Sequence, residues 1–117
     1  MKGGDNLKNK LNKELSSLYK KIVGRGPKFL KTFIHEDMII VRFDWYKETV
    51  IKKLYKSKRG ENIASNMYRE LFLLFKNEIK KAIKKITGVE VKRLYFDSNI
   101  QYTDEDKFLI ILLKEKI

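Results

Sequence analysis

The stretch that decides the fold is FLIILL at residues 108–113, which are six consecutive apolar residues without a charge. This length suits a strand, and the lack of polar alternation is typical of a strand that is covered on both faces. The run MIIV at residues 38–41 has the same character. At the edge of a sheet, the 108–113 run would recruit other chains and aggregate, so we expect it to be covered.

The segments around these two strands predict the rest of the architecture. Leu7, Leu11 and Leu15 begin an apolar stripe with helical spacing, and Gly24 is the expected residue after that helix. The polar residues 35–37 separate two strand-like runs and predict a hairpin. The predicted elements are helix 5–23, strands 28–34 and 38–43, helices 46–55 and 61–87, and strands 89–96 and 108–113. The chain is therefore expected to be one α+β domain over residues 1–117, in the order α-β-β-α-α-β-β, with two hairpins forming an antiparallel sheet packed by helices.

The long helix and the apolar strands bear on the oligomeric state. A helix over residues 61–87 is about 40 Å long, whereas a monomer of this mass has a radius of gyration of only about 13 to 14 Å. Because the helix would protrude and the strands need cover, we expect a homodimer, with or without exchanged elements. The alternative is a monomer with a central strand pair and a partly protruding helix.

Composition excludes most kinds of catalytic site. The chain of 117 residues has no cysteine and a single histidine, His35, so thiolate chemistry, cysteine-ligated zinc and paired-histidine metal sites are excluded. It has neither a GxxxxGK[ST] nor a GxGxxG string. We therefore expect no enzyme, no metal and no cofactor, and we interpret His35 as an exposed turn residue. The first ten residues lack the apolar core of a secretion signal, which predicts a cytoplasmic protein.

The positive charge is concentrated on predicted helices. The formal net charge is +12, and lysine greatly outnumbers arginine. Five lysines form a ridge on the predicted long helix, namely Lys76, Lys80, Lys81, Lys84 and Lys85. Such a ridge could bind nucleic-acid phosphates, lie against anionic lipid headgroups or a partner surface, or simply be solvated. No recognition element for base edges accompanies it, and strand aromatics such as Phe33 and Tyr95 are more typical of a core.

Three further cations are candidate binding residues. Arg25 and Lys28 lie in GRGPK at residues 24–28, where two glycines would let a ligand anion approach the backbone. The same residues also suit a helix stop followed by entry into a strand. Arg42 lies inside an apolar strand, so it is expected to pair with a carboxylate such as Asp44 or Asp97.

These strings together resemble the MpsC family. GRGPK at residues 24–28, Thr32 and DMIIVR at residues 37–42 match the family's first signature, and ITGV at residues 86–89 resembles its step from long helix to strand. DSNI at residues 97–100 resembles the family's HSDIS-type string, with aspartate for the usual histidine and asparagine for the usual aspartate. A family turn similar to TKTGER is replaced by residues 102–107. The resemblance covers nearly the whole chain.

The resemblance implies a function without implying an active site. The family is named for a sodium-translocating, membrane-potential-generating system, so the resemblance suggests a small accessory or regulatory protein of a membrane cation or bicarbonate transport system, peripheral to the membrane. Because two residues of the HSDIS-type string differ here, a shared enzymatic role is not expected. Arg25, Lys28 and Arg42 remain as the expected shared functional surface, and nucleic-acid binding through the lysine-rich faces remains the alternative function.

Overall fold

A computed structural model describes residues 2–44, 49–96 and 106–117 of the chain. The elements follow the predicted order, and they are α1 (Lys2–Val23), β1 (Leu30–His35), β2 (Met38–Asp44), α2 (Thr49–Leu54), α3 (Lys58–Thr87), β3 (Val91–Phe96) and β4 (Asp106–Leu113). The predicted α+β class and the single long helix are therefore confirmed.

The four strands form one antiparallel sheet in the order β1-β2-β4-β3. The two apolar runs lie on β2 and β4, which are the central strands and pair with each other from Met38↔Leu112 to Asp44↔Asp106. Both backbone edges of residues 109–113 are consequently paired within one chain. The expectation that this run needs cover along its edges is met without a second copy.

Helices α1 and α3 pack on one face of the sheet and bury the main core there. The largest fully buried apolar side chains are Leu11, Ile39, Ile83, Ile111, Leu113 and Val41. Alternate residues of β2 and β4 point into this core, as the period of two in a strand requires. Three rings, those of Phe43, Phe96 and Phe72, stack in series between the sheet and α3, with centroids 6.2 Å and 5.0 Å apart.

Two helices end at a glycine, as the sequence predicts for the first of them. Gly24 and Gly88 have φ angles of 92° and 77°, and their backbone N–H groups donate to the carbonyls of Lys20 and Lys84 at 2.8 Å. This left-handed conformation is the usual end of an α-helix, and it favours glycine because glycine lacks a Cβ.

The predicted helix break near residues 57–60 is instead the start of α3. The Ser57 side chain accepts a hydrogen bond from the Gly60 N–H at 3.0 Å, which is the geometry of an N-cap. Gly60 is buried in the first turn because α2 passes directly against it. Serine and glycine at a break suit both a helix end and a helix start, and the packing of α2 on α3 decides between them.

Helix α3 sets the length of the molecule. It contains 30 residues, or about 45 Å, and the principal extents of the chain are 47 × 25 × 21 Å. A single elongated chain therefore accommodates this helix. Its C-terminal half packs on the main core, whereas the buried residues near its start, Ala64 and Tyr68, form a small cluster with Ile51 of α2.

Candidate interaction surfaces

The predicted lysine ridge lies on the C-terminal half of α3. Lys81, Lys84 and Lys85 are exposed, while Lys76 and Lys80 are half-buried. Their neighbours Ile79, Ala82 and Ile83 fill the main core, so the ridge is on the side of α3 that faces away from the sheet. The core residues thus fix the helix rotation that presents the lysines, which we call the basic ridge.

One carboxylate is paired with the basic ridge. Lys84 Nζ donates to Glu90 Oε1 at 3.2 Å, and Lys114 Nζ donates to Glu90 Oε2 at 2.8 Å. The hydrogen bonds from Lys114 and then from Lys84 hold the pKa of Glu90 below its ordinary value. Because Lys84, Lys114 and Glu90 are all exposed, Glu90 neutralises part of the positive charge of the ridge without burying it.

Arg25 and Lys28 lie away from the end of the basic ridge. Both are exposed in the connection between α1 and β1. Ile22, just before them, lines the same apolar pocket as Leu71 of α3. Leu71 lies 13 residues, or about 20 Å, before Lys84 but only five residues, or about 8 Å, before Lys76, so Arg25 and Lys28 are nearer to the start of the basic ridge than to its end.

The GRGPK segment is also anchored structurally. Asp44 Oδ1 accepts a hydrogen bond from the backbone N–H of Phe29 at 3.0 Å, immediately after Lys28. This bond fixes where the connection joins the sheet. Thr32 has a structural partner as well, because its hydroxyl donates to Asn12 Oδ1 of α1 at 2.6 Å.

Arg42 pairs with a carboxylate, although not with either candidate named from the sequence. Its Nη2 donates to Asp106 Oδ2 at 2.9 Å, and its guanidinium carbon lies 5.7 Å from the centre of the Phe29 ring. Asp44 binds a backbone amide instead, and Asp97 is outside the described residues. Asp106 was missed because the register of β2 on β4 is needed to bring it beside Arg42.

The sheet has a second face on which no helix of the described residues packs, and sequence reasoning missed it. Seven apolar side chains occupy that face, which we call the open face: Phe33, Met38, Ile40, Tyr95, Phe108, Ile110 and Leu112. The exposed fractions are 50% for Phe33, 46% for Tyr95 and 41% for Phe108. These rings are not core, unlike Phe96, which packs against Phe72 and Phe43. Unbroken apolar runs predicted cover on both faces, but the helices supply it on only one.

An apolar pocket also lies between the helices and the sheet. It has a volume of about 60 Å³ and is bordered by residues such as Leu18, Phe43 and Phe72. This volume is well below the 150 Å³ or so of a cavity that admits benzene.

The described residues contain neither a metal-binding cluster nor a helix that could span a membrane. In residues 2–44, 49–96 and 106–117, no cluster of three or more His, Asp or Glu side chains has the geometry to hold a metal ion. Within the same ranges, no helix combines the length and the apolar character needed to cross a bilayer. His35 is exposed at the end of β1, as expected of a turn histidine.

Comparison with known proteins identifies the family. The model of the MpsC family, described as "Na+-translocating membrane potential-generating system (MpsC)", matches residues 4–114. Because this match covers nearly the whole chain, the protein belongs to the MpsC family, and the resemblance seen in the sequence motifs is confirmed. No curated protein and no solved structure matches the chain. The HSDIS-type string and the replaced turn lie largely in residues 97–105, outside the described residues.

Proposed function

We propose that this protein is a non-catalytic accessory or regulatory component of a membrane cation or bicarbonate transport system. In this proposal it works on the cytoplasmic side, peripheral to the membrane, and its basic ridge rests on the anionic headgroups around the transport proteins. The family description supports the association with a sodium-translocating membrane system. The observation that carries the proposal is the clustering of Lys80, Lys81, Lys84 and Lys85 on the outward side of α3, with Lys76 at its margin.

The electrostatics of the ridge suit a charged surface. Lys80, Lys81, Lys84 and Lys85 lie within about 8 Å along the helix and on its outward side, so these four lysines can approach a flat anionic layer together. Each lysine near such a surface contributes about 1 kcal/mol to binding. Lys84 contributes less because Glu90 pairs with it, whereas Lys81 and Lys85 are exposed and have no carboxylate partner within the described residues.

A vesicle experiment tests the membrane contact. Co-sedimentation compares vesicles of phosphatidylglycerol and phosphatidylcholine with vesicles of phosphatidylcholine alone. We expect the wild type to bind only the anionic vesicles, and the triple variant Lys80→Gln, Lys81→Gln, Lys85→Gln to bind them roughly 100-fold more weakly. The matched control is Lys52→Gln, Lys53→Gln, Lys56→Gln, which removes the same net charge from exposed positions in and just after α2. Equal weakening in both triple variants would contradict a specific role for the ridge.

Two further measurements separate this function from its alternatives. In the native organism, loss of the protein is expected to reduce sodium-dependent or bicarbonate uptake, and the control triple variant but not the ridge variant should restore it. Unchanged uptake would refute the accessory role. Binding to DNA or RNA that weakens steeply with added salt, together with no binding to anionic vesicles, would instead support the nucleic-acid function.

A further inference from the structure

We propose that the open face of the sheet binds the open face of a second copy, forming a two-fold symmetric dimer in which two sheets stack. The centre of that face is aliphatic, formed by Met38, Ile40, Ile110 and Leu112. Aromatic rings and arginines surround this centre, and an apolar centre with such a border is typical of protein interfaces. This proposal is independent of the transport role.

The strand register makes the open face self-complementary. One row across the sheet reads Phe33–Ile40–Ile110–Tyr95, so it has an aromatic ring at each end and an isoleucine pair in the middle. A two-fold axis parallel to the strands exchanges β1 with β3 and β2 with β4. Phe33 then faces the partner's Tyr95, and Ile40 faces the partner's Ile110. A dimer with two-fold symmetry requires such a surface, because the same patch serves both copies.

The neighbouring rows fit the same axis. The row His35–Met38–Leu112–Arg93 has an apolar centre, so Met38 meets the partner's Leu112. Arg42 pairs with Phe108 within the sheet and therefore faces the partner's Phe108 across the interface. A guanidinium over an aromatic face is attractive, so this contact adds to the apolar ones. Stacked sheets lie about 10 Å apart, which lets side chains from the two faces interdigitate.

The charge distribution favours a second copy over a polyanion. Asp106 already neutralises Arg42 at 2.9 Å, and Arg93 Nη1 donates to the Tyr95 hydroxyl at 3.4 Å. The basic ridge lies on α3, which packs on the opposite side of the sheet. Stacking therefore keeps the lysine-rich helices on the two outer surfaces. A single-stranded nucleic acid would be held by cations beside stacking rings; Lys31 and Arg93 border the open face, but its centre is aliphatic and offers no ring on which a base could stack.

The size of the face sets the expected strength of the dimer. Four strands spaced by about 4.8 Å, each of six to eight residues rising about 3.3 Å, give a face of roughly 20 Å by 23 Å. Two such faces together bury roughly 900 Å², which is below the range of stable interfaces and typical of a weak, transient one. We therefore expect dissociation in the micromolar range.

Sedimentation equilibrium tests the dimer directly. Over about 1 to 200 μM protein, the wild type is expected to convert from monomer to dimer. Phe33→Lys, on an exposed edge-strand position, should raise the dissociation constant at least tenfold while circular dichroism and thermal unfolding stay unchanged. The control is Leu74→Lys, which removes a side chain that is 73% exposed but lies on α3. A monomer throughout the range, or dissociation by Leu74→Lys alone, would overturn the proposal.

Cross-linking tests the orientation of the two copies. The chain has no cysteine, so the double variant Phe33→Cys, Tyr95→Cys carries the only thiols. A short bismaleimide should link it into dimers on a denaturing gel, because position 33 faces position 95 of the partner. Each single variant should remain monomeric, since its two thiols are separated by the sheet spacing and about three strand spacings, or about 17 Å. Dimers from a single variant, or none from the double variant, would contradict this arrangement.

Salt distinguishes the dimer from nucleic-acid binding on the same face. Self-repulsion between two chains of net charge +12 is screened by salt, so raising NaCl from about 50 to about 500 mM should leave the dimer unchanged or tighten it. Binding of a single-stranded oligonucleotide should weaken over the same range. If Phe33→Lys leaves the mass unchanged but abolishes salt-sensitive oligonucleotide binding, the open face binds nucleic acid and the dimer proposal fails.

Discussion

At the residue scale, Gly60 shows how one missing side chain lets two helices meet. A Cβ at this position would collide with the carbonyl oxygen of Leu54 and lie 2.7 Å from its carbonyl carbon. The obstacle is backbone, so it cannot rotate away as a side chain would. The contact between α2 and α3 therefore requires glycine in the first turn of α3.

We predict that Gly60→Ala destabilises the protein by about 1–2 kcal/mol. The overpacking costs about 1–3 kcal/mol, and the better helix propensity of alanine offsets up to about 1 kcal/mol of it. Denaturant unfolding measures the difference. The control is Gly26→Ala, because a Cβ there meets nothing within 4 Å and should leave stability unchanged or slightly higher. Equal effects of the two substitutions would contradict the tight approach of Leu54.

Glu90 gives the stability a specific dependence on pH. Its pKa is lowered in the folded protein from the ordinary value of 4.5, first through the hydrogen bond from Lys114 and then through that from Lys84. The folded state therefore binds this proton more weakly than the unfolded state. The stabilisation is complete above the unfolded pKa and disappears as the pH falls through the lowered folded pKa.

We predict that Glu90→Gln makes unfolding less sensitive to acid. Between about pH 6 and about pH 3, the melting temperature of the wild type should fall further than that of the variant, and the difference should shrink in high salt. Thermal unfolding at low and at high ionic strength measures the pH dependence and its reduction by salt. Glu78→Gln, which changes another exposed carboxylate on α3, is the control and should follow the wild type. If the melting temperatures of wild type and Glu90→Gln fell in parallel with pH, the two ion pairs of Glu90 would contribute nothing to stability.

Individual residues were predictable from the sequence where the cause is local. Gly24 and Gly88 end helices because each needs only its own backbone conformation and a neighbouring carbonyl. Arg42 was correctly expected to find a carboxylate, but Asp106 is 64 residues away in the chain. No local pattern encodes that distance, so the partner appears only with the sheet register.

At the element scale, α3 is one helix with two different supports. Its buried residues fall into two groups, Gly60, Ala64 and Tyr68 beside α2, and Ile79, Ala82 and Ile83 in the main core. Between them, Leu73 and Leu74 are more than half exposed. The sequence predicted one long helix here, but apolar periodicity cannot tell which part of a helix has a neighbour.

We predict that hydrogen exchange divides α3 into two segments. Amides around residues 62–70 should exchange faster than those around residues 79–86, because local opening breaks only the small α2 cluster. Exchange measured by mass spectrometry at peptide resolution gives the comparison. Ile83→Ala should accelerate exchange in the second segment and throughout the sheet, since it disrupts the main core. Uniform protection from exchange along α3 would contradict the claim that its two ends are stabilised by different clusters.

At the scale of the whole molecule, the element order was predictable but the arrangement of strands was less so. Charge-free runs predicted that β2 and β4 need cover, with a central strand pair as the alternative to a dimer, and the sheet order places both strands in the centre. The same runs also predicted cover on both faces. The structure instead shows buried and half-buried residues alternating along most of β2, because the helices cover only one face of the sheet. An apolar residue on the open face looks identical in the sequence to one in the core, because only packing separates them.

The order β1-β2-β4-β3 also constrains how the chain can be made. The β1–β2 hairpin leaves the ribosome early, but its free edge must wait for a segment that is translated about 70 residues later. During that interval the nascent chain presents MIIVRF as an unprotected edge, and the lysines of α1, which are already translated, help to keep neighbouring nascent chains apart. Closing the sheet is thus a late event of synthesis, and translation speed through residues 58–105 determines how long the hairpin depends on charge, or on a chaperone, to stay soluble.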